Sequence, residues 1–148
     1  MDALELLKTD HQKVKALFEK AEATENAKQQ KRIFDQIKIE LETHARIEET
    51  VFYPAVQKHE ELKDMVLESL EEHKQIKTLL REMENLASDS EKFEPKLKVL
   101  MENVEHHAEE EEEEKMFPKL RQIMGKQKLE QLGADLEAAK GQRQRKAS

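Results

Sequence analysis

Six residues have the types and the spacing to hold metal ions: His11, His44, Glu48, His73, His107 and Glu111. Residues four apart on a helix share a face, with Cβ atoms roughly 5–6 Å apart. His44-x-x-x-Glu48 and His107-x-x-x-Glu111 therefore each offer an imidazole and a carboxylate to adjacent ion positions. Neutral imidazole with carboxylate suits iron, manganese or zinc, and a carboxylate can bridge two ions about 3.5–4 Å apart. Four histidines and two glutamates thus point to two metals. The chain has no cysteine, which excludes disulfides, thiolate-bound zinc and iron–sulfur clusters. Either His/Glu pair alone would be weak evidence in so acidic a sequence, and a single histidine on an apolar stripe is more often a core imidazole bonded to a neighbour. Their convergence carries the argument, because two glutamates and four histidines buried without an ion would cost heavily in desolvation.

The elements that must position these residues are helices. Leu4, Leu7, His11, Val14 and Phe18 form one stripe, and Ile33, Ile37, Leu41, His44, Glu48 and Phe52 a second. Leu62, Val66, Leu70, His73, Ile76 and Leu80 form a third, and Leu97, Leu100, Val104, His107 and Glu111 a fourth. A histidine interrupts every stripe. Breaks fall near Glu25-Asn26, from Pro54 to Glu61, and at Ser88-Asp89-Ser90, where a Ser or Asp is expected to cap the helix carrying Phe93. Such short connections predict an all-α, up-down-up-down antiparallel four-helix bundle over residues 1–124. Pro54 and Pro118 should kink or end their helices, and Gly125 and Gly133 should bracket a short outer helix within residues 125–148, followed by a basic tail.

Composition agrees with this. A chain of 148 residues suffices for one domain, aromatics are 4% and charged residues 40%, and there is little strand-forming material. Lys plus Arg number 26 against 33 Asp plus Glu, a net charge of −7, so no nucleic-acid partner is expected; the tail residues Lys140, Arg143, Arg145 and Lys146 are read as a solvated terminus. No apolar run approaches the roughly 18 residues of a membrane span, and Met1-Asp2-Ala3-Leu4-Glu5 lacks the form of a signal peptide, so the expectation is a cytoplasmic protein without a membrane partner, monomeric or weakly dimeric. Phosphate-binding glycine loops, a serine elbow, Glu-x-x-His pairs and His-Glu-x-x-His are all absent from the sequence.

The chain also repeats itself. Asp10-His11-Gln12-Lys13-Val14-Lys15-Ala16-Leu17 aligns with Glu72-His73-Lys74-Gln75-Ile76-Lys77-Thr78-Leu79, and His44 and Glu48 align with His107 and Glu111. In the glutamate run 109–114 the stripe selects Glu111 as the inward member, and His59 and His106 fall off the stripes; pairing His106 with Glu110 would turn the apolar stripe outward.

On Asp10-His11, His44-Ala45-Arg46-Ile47-Glu48-Glu49 leading to Phe52-Tyr53-Pro54, Glu72-His73, and His107-Ala108-Glu109-Glu110-Glu111 leading to Phe117-Pro118, the chain from about Leu6 to Arg121 resembles the hemerythrin family, in its bacterial HHE cation-binding form. Residues 132–137 also look like that family's closing helix. The resemblance implies two non-haem irons bridged by Glu48, Glu111 and an oxo, hydroxo or water oxygen. Two departures stand out. Oxygen carriers of the family have a further histidine one turn before the position of His73, and here that residue is Ser69. His44 also precedes Pro54 by ten residues while His107 precedes Pro118 by eleven, an excess expected to be absorbed in a bulge past Glu111.

Three functions are compatible with these residues: binding or sensing of dioxygen or another small oxidant, oxidoreductase turnover of peroxide or nitrogen oxides, and iron buffering. The residues do not decide between binding and catalysis. The missing histidine ranks sensing and detoxification above oxygen transport.

Overall fold

Every element of the computed structural model is helical, and it describes residues 1–147, with side chains through residue 141. The first hairpin is α1 (Ala3–Ala23) and α2 (Ala27–Ile47). Asp2 opens α1 by accepting the Glu5 amide at 2.9 Å, and Asn26 opens α2 by accepting that of Gln29 at 3.0 Å, each satisfying an amide that has no partner in a first turn. A π-helical segment, Glu48–Phe52, follows α2 directly and passes into the short α3 (Tyr53–Val56). The second hairpin is α4 (Lys63–Glu84), reached through a 3₁₀ turn at Glu60–Leu62, and α5 (Phe93–Glu105). A second, longer π segment (His106–Met116) continues α5 into α6 (Phe117–Ile123). The final helix, α7, runs from Lys126 to Ala147.

Apolar side chains from the long helices gather in two clusters. One holds Leu4, Leu7, Ile47, Phe52, Val66 and Met116; the other holds Val14, Phe18, Ile33, Ile37, Ile76 and Leu97. Along each helix the histidine lies between its contributions to the two, so a polar layer separates two dry cores. Lys31 on α2 ties the hairpins together, donating to the Met83, Glu84 and Leu86 carbonyls at the end of α4.

Three local expectations change. Neither proline ends its helix: Pro54 and Pro118 stand immediately after the π segments, near the starts of α3 and α6. The ring removes an amide and crowds the carbonyl four residues back, and a stretch of i→i+5 bonding accommodates both without breaking the rod. Gly133 lies inside α7 rather than at its boundary, and α7, at 22 residues as long as α4, is not the short helix expected. A Cβ there would stand 2.5 Å from the Met1 carbonyl oxygen and 2.9 Å from the Ala3 amide nitrogen, so the glycine is where α7 touches the start of α1. Ser90 does not cap α5; its hydroxyl accepts the Lys92 amide, ahead of the helix. Among the described residues no helix is long and apolar enough to cross a membrane. The side chains of Arg143, Arg145 and Lys146 lie outside the described residues.

Candidate metal centre

The polar layer is built by α1, α2, α4 and the two π segments. His11 comes from α1, His44 from α2, His73 from α4, Glu48 from the first π segment, and His107 and Glu112 from the second. Each histidine turns Nε2 inward. His44 Nε2 and His73 Nε2 lie 3.2 and 3.1 Å from Glu48 Oε1, and His11 Nε2 lies 3.1 Å from Glu112 Oε1. His73 Nε2 and His107 Nε2 are 3.0 Å apart. The donors fall into two groups, His11 with His44, Glu48 and Glu112, and Glu48 with His73 and His107, the atoms of each lying within 4.8 Å of one another. Glu48 belongs to both.

The outward nitrogens share one arrangement. Every Nδ1 meets a carboxylate: His11 with Glu113 at 2.7 Å, His44 with Asp10 at 3.0 Å, His73 with Glu49 at 2.8 Å and His107 with Glu72 at 2.7 Å. The repeat supplies these acids in matched pairs. Asp10 and Glu72 each precede a histidine and support the histidine of the next long helix, while Glu49 and Glu113 each follow a central glutamate and reach across to the other hairpin. A carboxylate on Nδ1 fixes the ring so that Nε2 presents its lone pair, the device by which proteins orient histidine ligands.

One candidate from the sequence is displaced. His11, His44, Glu48, His73 and His107 come together; Glu111 does not join them, and Glu112 stands in the centre instead. Glu111 is only 9% exposed, yet its Oε1 faces His106 and Lys115. The cause is the second π segment. With i→i+5 bonding the residue five after His107, not four, returns to the same face. The signal was in the sequence: Glu112 precedes Pro118 by six residues, as Glu48 precedes Pro54 by six, so the extra residue falls between His107 and the glutamate rather than after it. Tyr53 was also not foreseen. Its hydroxyl donates to Glu112 Oε2 at 2.5 Å and lies 3.2 and 3.4 Å from Nε2 of His107 and His73. Phe117 occupies the repeat-related position and places a hydrocarbon ring near His11, with ring centroids 6.3 Å apart.

The family model for the Hemerythrin HHE cation binding domain matches residues 2–120, a span that includes every one of these residues. The chain belongs to the hemerythrin HHE cation-binding family. A Mycobacterium kansasii protein containing this domain, known from its crystal structure, aligns with a TM-score of 0.83 at 29% identity over 96% of this chain and 86% of that one. An uncharacterized hemerythrin-like protein of Schizosaccharomyces pombe is 30% identical over 106 residues, 70% of this chain and 52% of that protein. A protein of Nostoc named DNA nickase is 27% identical over 146 residues, 99% of this chain. The chain spans only 41% and 52% of the lengths of the Nostoc and yeast relatives.

Within the hemerythrin-family centre the buried charges shift one another strongly. Burial alone would lower the His44 pKa, but the Glu48 charge and the bond to Asp10 overcome it and lift the value to about 10. Burial would raise the Glu48 carboxyl, yet the charge on the His44 ring beside it holds it well below the usual range. Glu112 is pushed up, first by burial and then by the Glu48 charge. Tyr53 is raised by burial and by both glutamates. Even so, His11 Nε2, His44 Nε2, both oxygens of Glu48 and Glu112 Oε1 are buried without a hydrogen-bond partner. All five point into the same layer. Nitrogen and oxygen donors held on one ion at right angles with arms of about 2.1 Å stand roughly 3.0 Å apart, which fits the 3.0–3.2 Å separations here.

Proposed function

We propose that this domain holds two iron ions in an up-down-up-down bundle and binds a small oxidant, dioxygen or peroxide, beside them. The bundle direction is supported by the cores: along α1 and α4 the residues pass from the Leu4 cluster to the Val14 cluster, and along α2, and along α5 with the π segment and α6 that continue it, they pass the other way. The observation that carries the metal reading is the convergence of five buried, unpartnered donor atoms. In this reading His11, His44, Glu48 and Glu112 hold one ion, and His73, His107 and Glu48 the other. The Tyr53 hydroxyl lies beside His73 and His107, two of the residues that would hold the second ion, and Ser69 stands one turn before His73. Bound iron would supply a redox-active Lewis acid.

What this chain does around that pair is to orient, exclude water and hold protons. Asp10, Glu49, Glu72 and Glu113 keep the imidazoles aimed inward. A cavity of about 40 Å³ adjoins all four histidines and is walled by Val14, Leu41, Ile76, Leu80, Val104 and Ala108, which suits one or two heavy atoms and little more. Tyr53 gives the second reading, peroxide turnover, its own support: a phenol bonded to Glu112 can hold or release a proton at the centre.

The deciding experiment combines metal analysis and an optical spectrum of the purified protein with rapid mixing of the reduced form with oxygen and with peroxide. Two irons per chain and a stable oxygen adduct would support binding, and catalytic loss of peroxide would support the second reading. Zero or one metal with all donors intact would end both.

A further inference from the structure

On the solvent side of His107 a third set of donors meets, outside the centre described above. Glu72 Oε2, His106 Nε2 and Glu111 Oε1 lie within 4.8 Å of one another, with His106 Nε2 at 3.4 Å from Glu72 Oε2 and 3.5 Å from Glu111 Oε1. These separations are long for charge-assisted hydrogen bonds, which cluster near 2.7–2.9 Å. They fit two ligands on one ion, since arms of about 2.1 Å at a tetrahedral angle leave the donors roughly 3.4 Å apart.

A second, independent observation concerns the ring itself. His106 Nδ1 is 2.8 Å from Glu110 Oε2, so the imidazole carries the same outward carboxylate as the four central histidines and presents its Nε2 lone pair to two carboxylates. Three electron-rich atoms then face one another. The second π segment produces this division, turning His107 and Glu112 inward and leaving His106, Glu110 and Glu111 on the flank.

We propose that Glu72, His106 and Glu111 form an outer site for a divalent first-row cation, joined to the buried centre through the Glu72 carboxylate. One Glu72 oxygen accepts from His107 Nδ1 at 2.7 Å and the other faces the outer site. The His106 side chain is 48% exposed, so an ion there exchanges with solvent, unlike one in the central layer. Lys115 acts as a built-in competitor. Its ammonium reaches the same Glu111 oxygen at 3.3 Å from a side chain that is 57% exposed and free to swing away.

The test is equilibrium dialysis against Zn2+ with ions counted per chain. Wild type should bind one readily exchanged ion more than His106→Ala or Glu111→Gln, and Lys115→Met should bind that ion several-fold more tightly. Glu48→Gln, which alters only the central layer, should retain it, so the result does not depend on how many ions the centre holds. Equal counts in wild type and His106→Ala, loss of the ion in Glu48→Gln alone, or no tightening in Lys115→Met would overturn the proposal.

Discussion

At the scale of single residues, Glu111 and Glu112 are adjacent, chemically identical and both largely buried, yet the structure gives them different neighbours. Glu112 Oε1 is buried, unpartnered and 3.1 Å from His11 Nε2, whereas Glu111 meets His106 and Lys115. Glu112→Gln should therefore lower the firmly held metal content by at least one ion per chain after exhaustive dialysis, and Glu111→Gln should leave it unchanged. Elemental analysis of the two variants decides the matter, and the reverse pattern would restore Glu111 to the centre. Tyr53 offers a second test. Tyr53→Phe keeps a ring packed against Phe52 and removes only the hydroxyl bonded to Glu112. If the phenol serves proton transfer, peroxide consumption at equal iron content should fall about 100-fold with little change in melting temperature. An unchanged rate would confine Tyr53 to structure.

At the scale of elements, α7 stands beyond the residues matched by the family model but reaches the centre. Lys140 donates to Asp10 Oδ1, whose other oxygen meets His44 Nδ1, and Arg46 donates to the Ala139 carbonyl at 2.8 Å. The lysine read from the sequence as part of a solvated tail thus supports a histidine of the metal layer. Lys140→Met should weaken metal binding by up to about tenfold, the lower range for an outer supporting partner. The readout is the ion affinity from competition with a chelator, and an affinity equal to wild type would show Asp10 sufficient alone. Gly133 sets how closely α7 docks. Gly133→Ala would drive a Cβ into backbone at Met1 and Ala3, so a loss of about 1–3 kcal/mol is expected in denaturant unfolding. No loss would mean that the N-terminal residues yield freely.

At the scale of the whole molecule, the charged layer couples folding to metal and to pH. In the metal-free protein the His44 pKa is raised from 6.5 to about 10. A raised value means that the folded state favours the proton, so this contribution to stability is complete below about pH 6.5 and is lost as pH climbs toward 10. Metal binding needs the neutral imidazole and expels that proton, so the ions are held more firmly as pH rises. The gap in melting temperature between metal-loaded and chelated protein should therefore widen from pH 6.5 to 9, measured by calorimetry. A gap that narrows, or none at all, would place the metal outside the folding unit.

What the sequence determined by itself was the part that obeys a regular period. Stripes at helical spacing revealed four long helices, the duplication doubled every histidine, and the absence of cysteine confined the chemistry to imidazole and carboxylate. His11, His44, Glu48, His73 and His107 were all legible because α-helical spacing holds along each rod up to these positions, Glu48 and His107 standing at or next to the start of a π segment. Tertiary structure alone decided the rest. Past His107 the backbone takes up i→i+5 bonding, which moves the inward position from Glu111 to Glu112; helical spacing counted from His107 misses that shift, and only the matching distance to Pro118 hints at it. Asp10, Glu49, Glu72 and Glu113 lie off the apolar stripes, and packing alone brings them to the outward nitrogens. Tyr53 and Lys140 reach the centre across gaps of 59 and 130 residues, to Glu112 and to Asp10. Contacts at such separations follow from how helices dock in space, which no local pattern encodes.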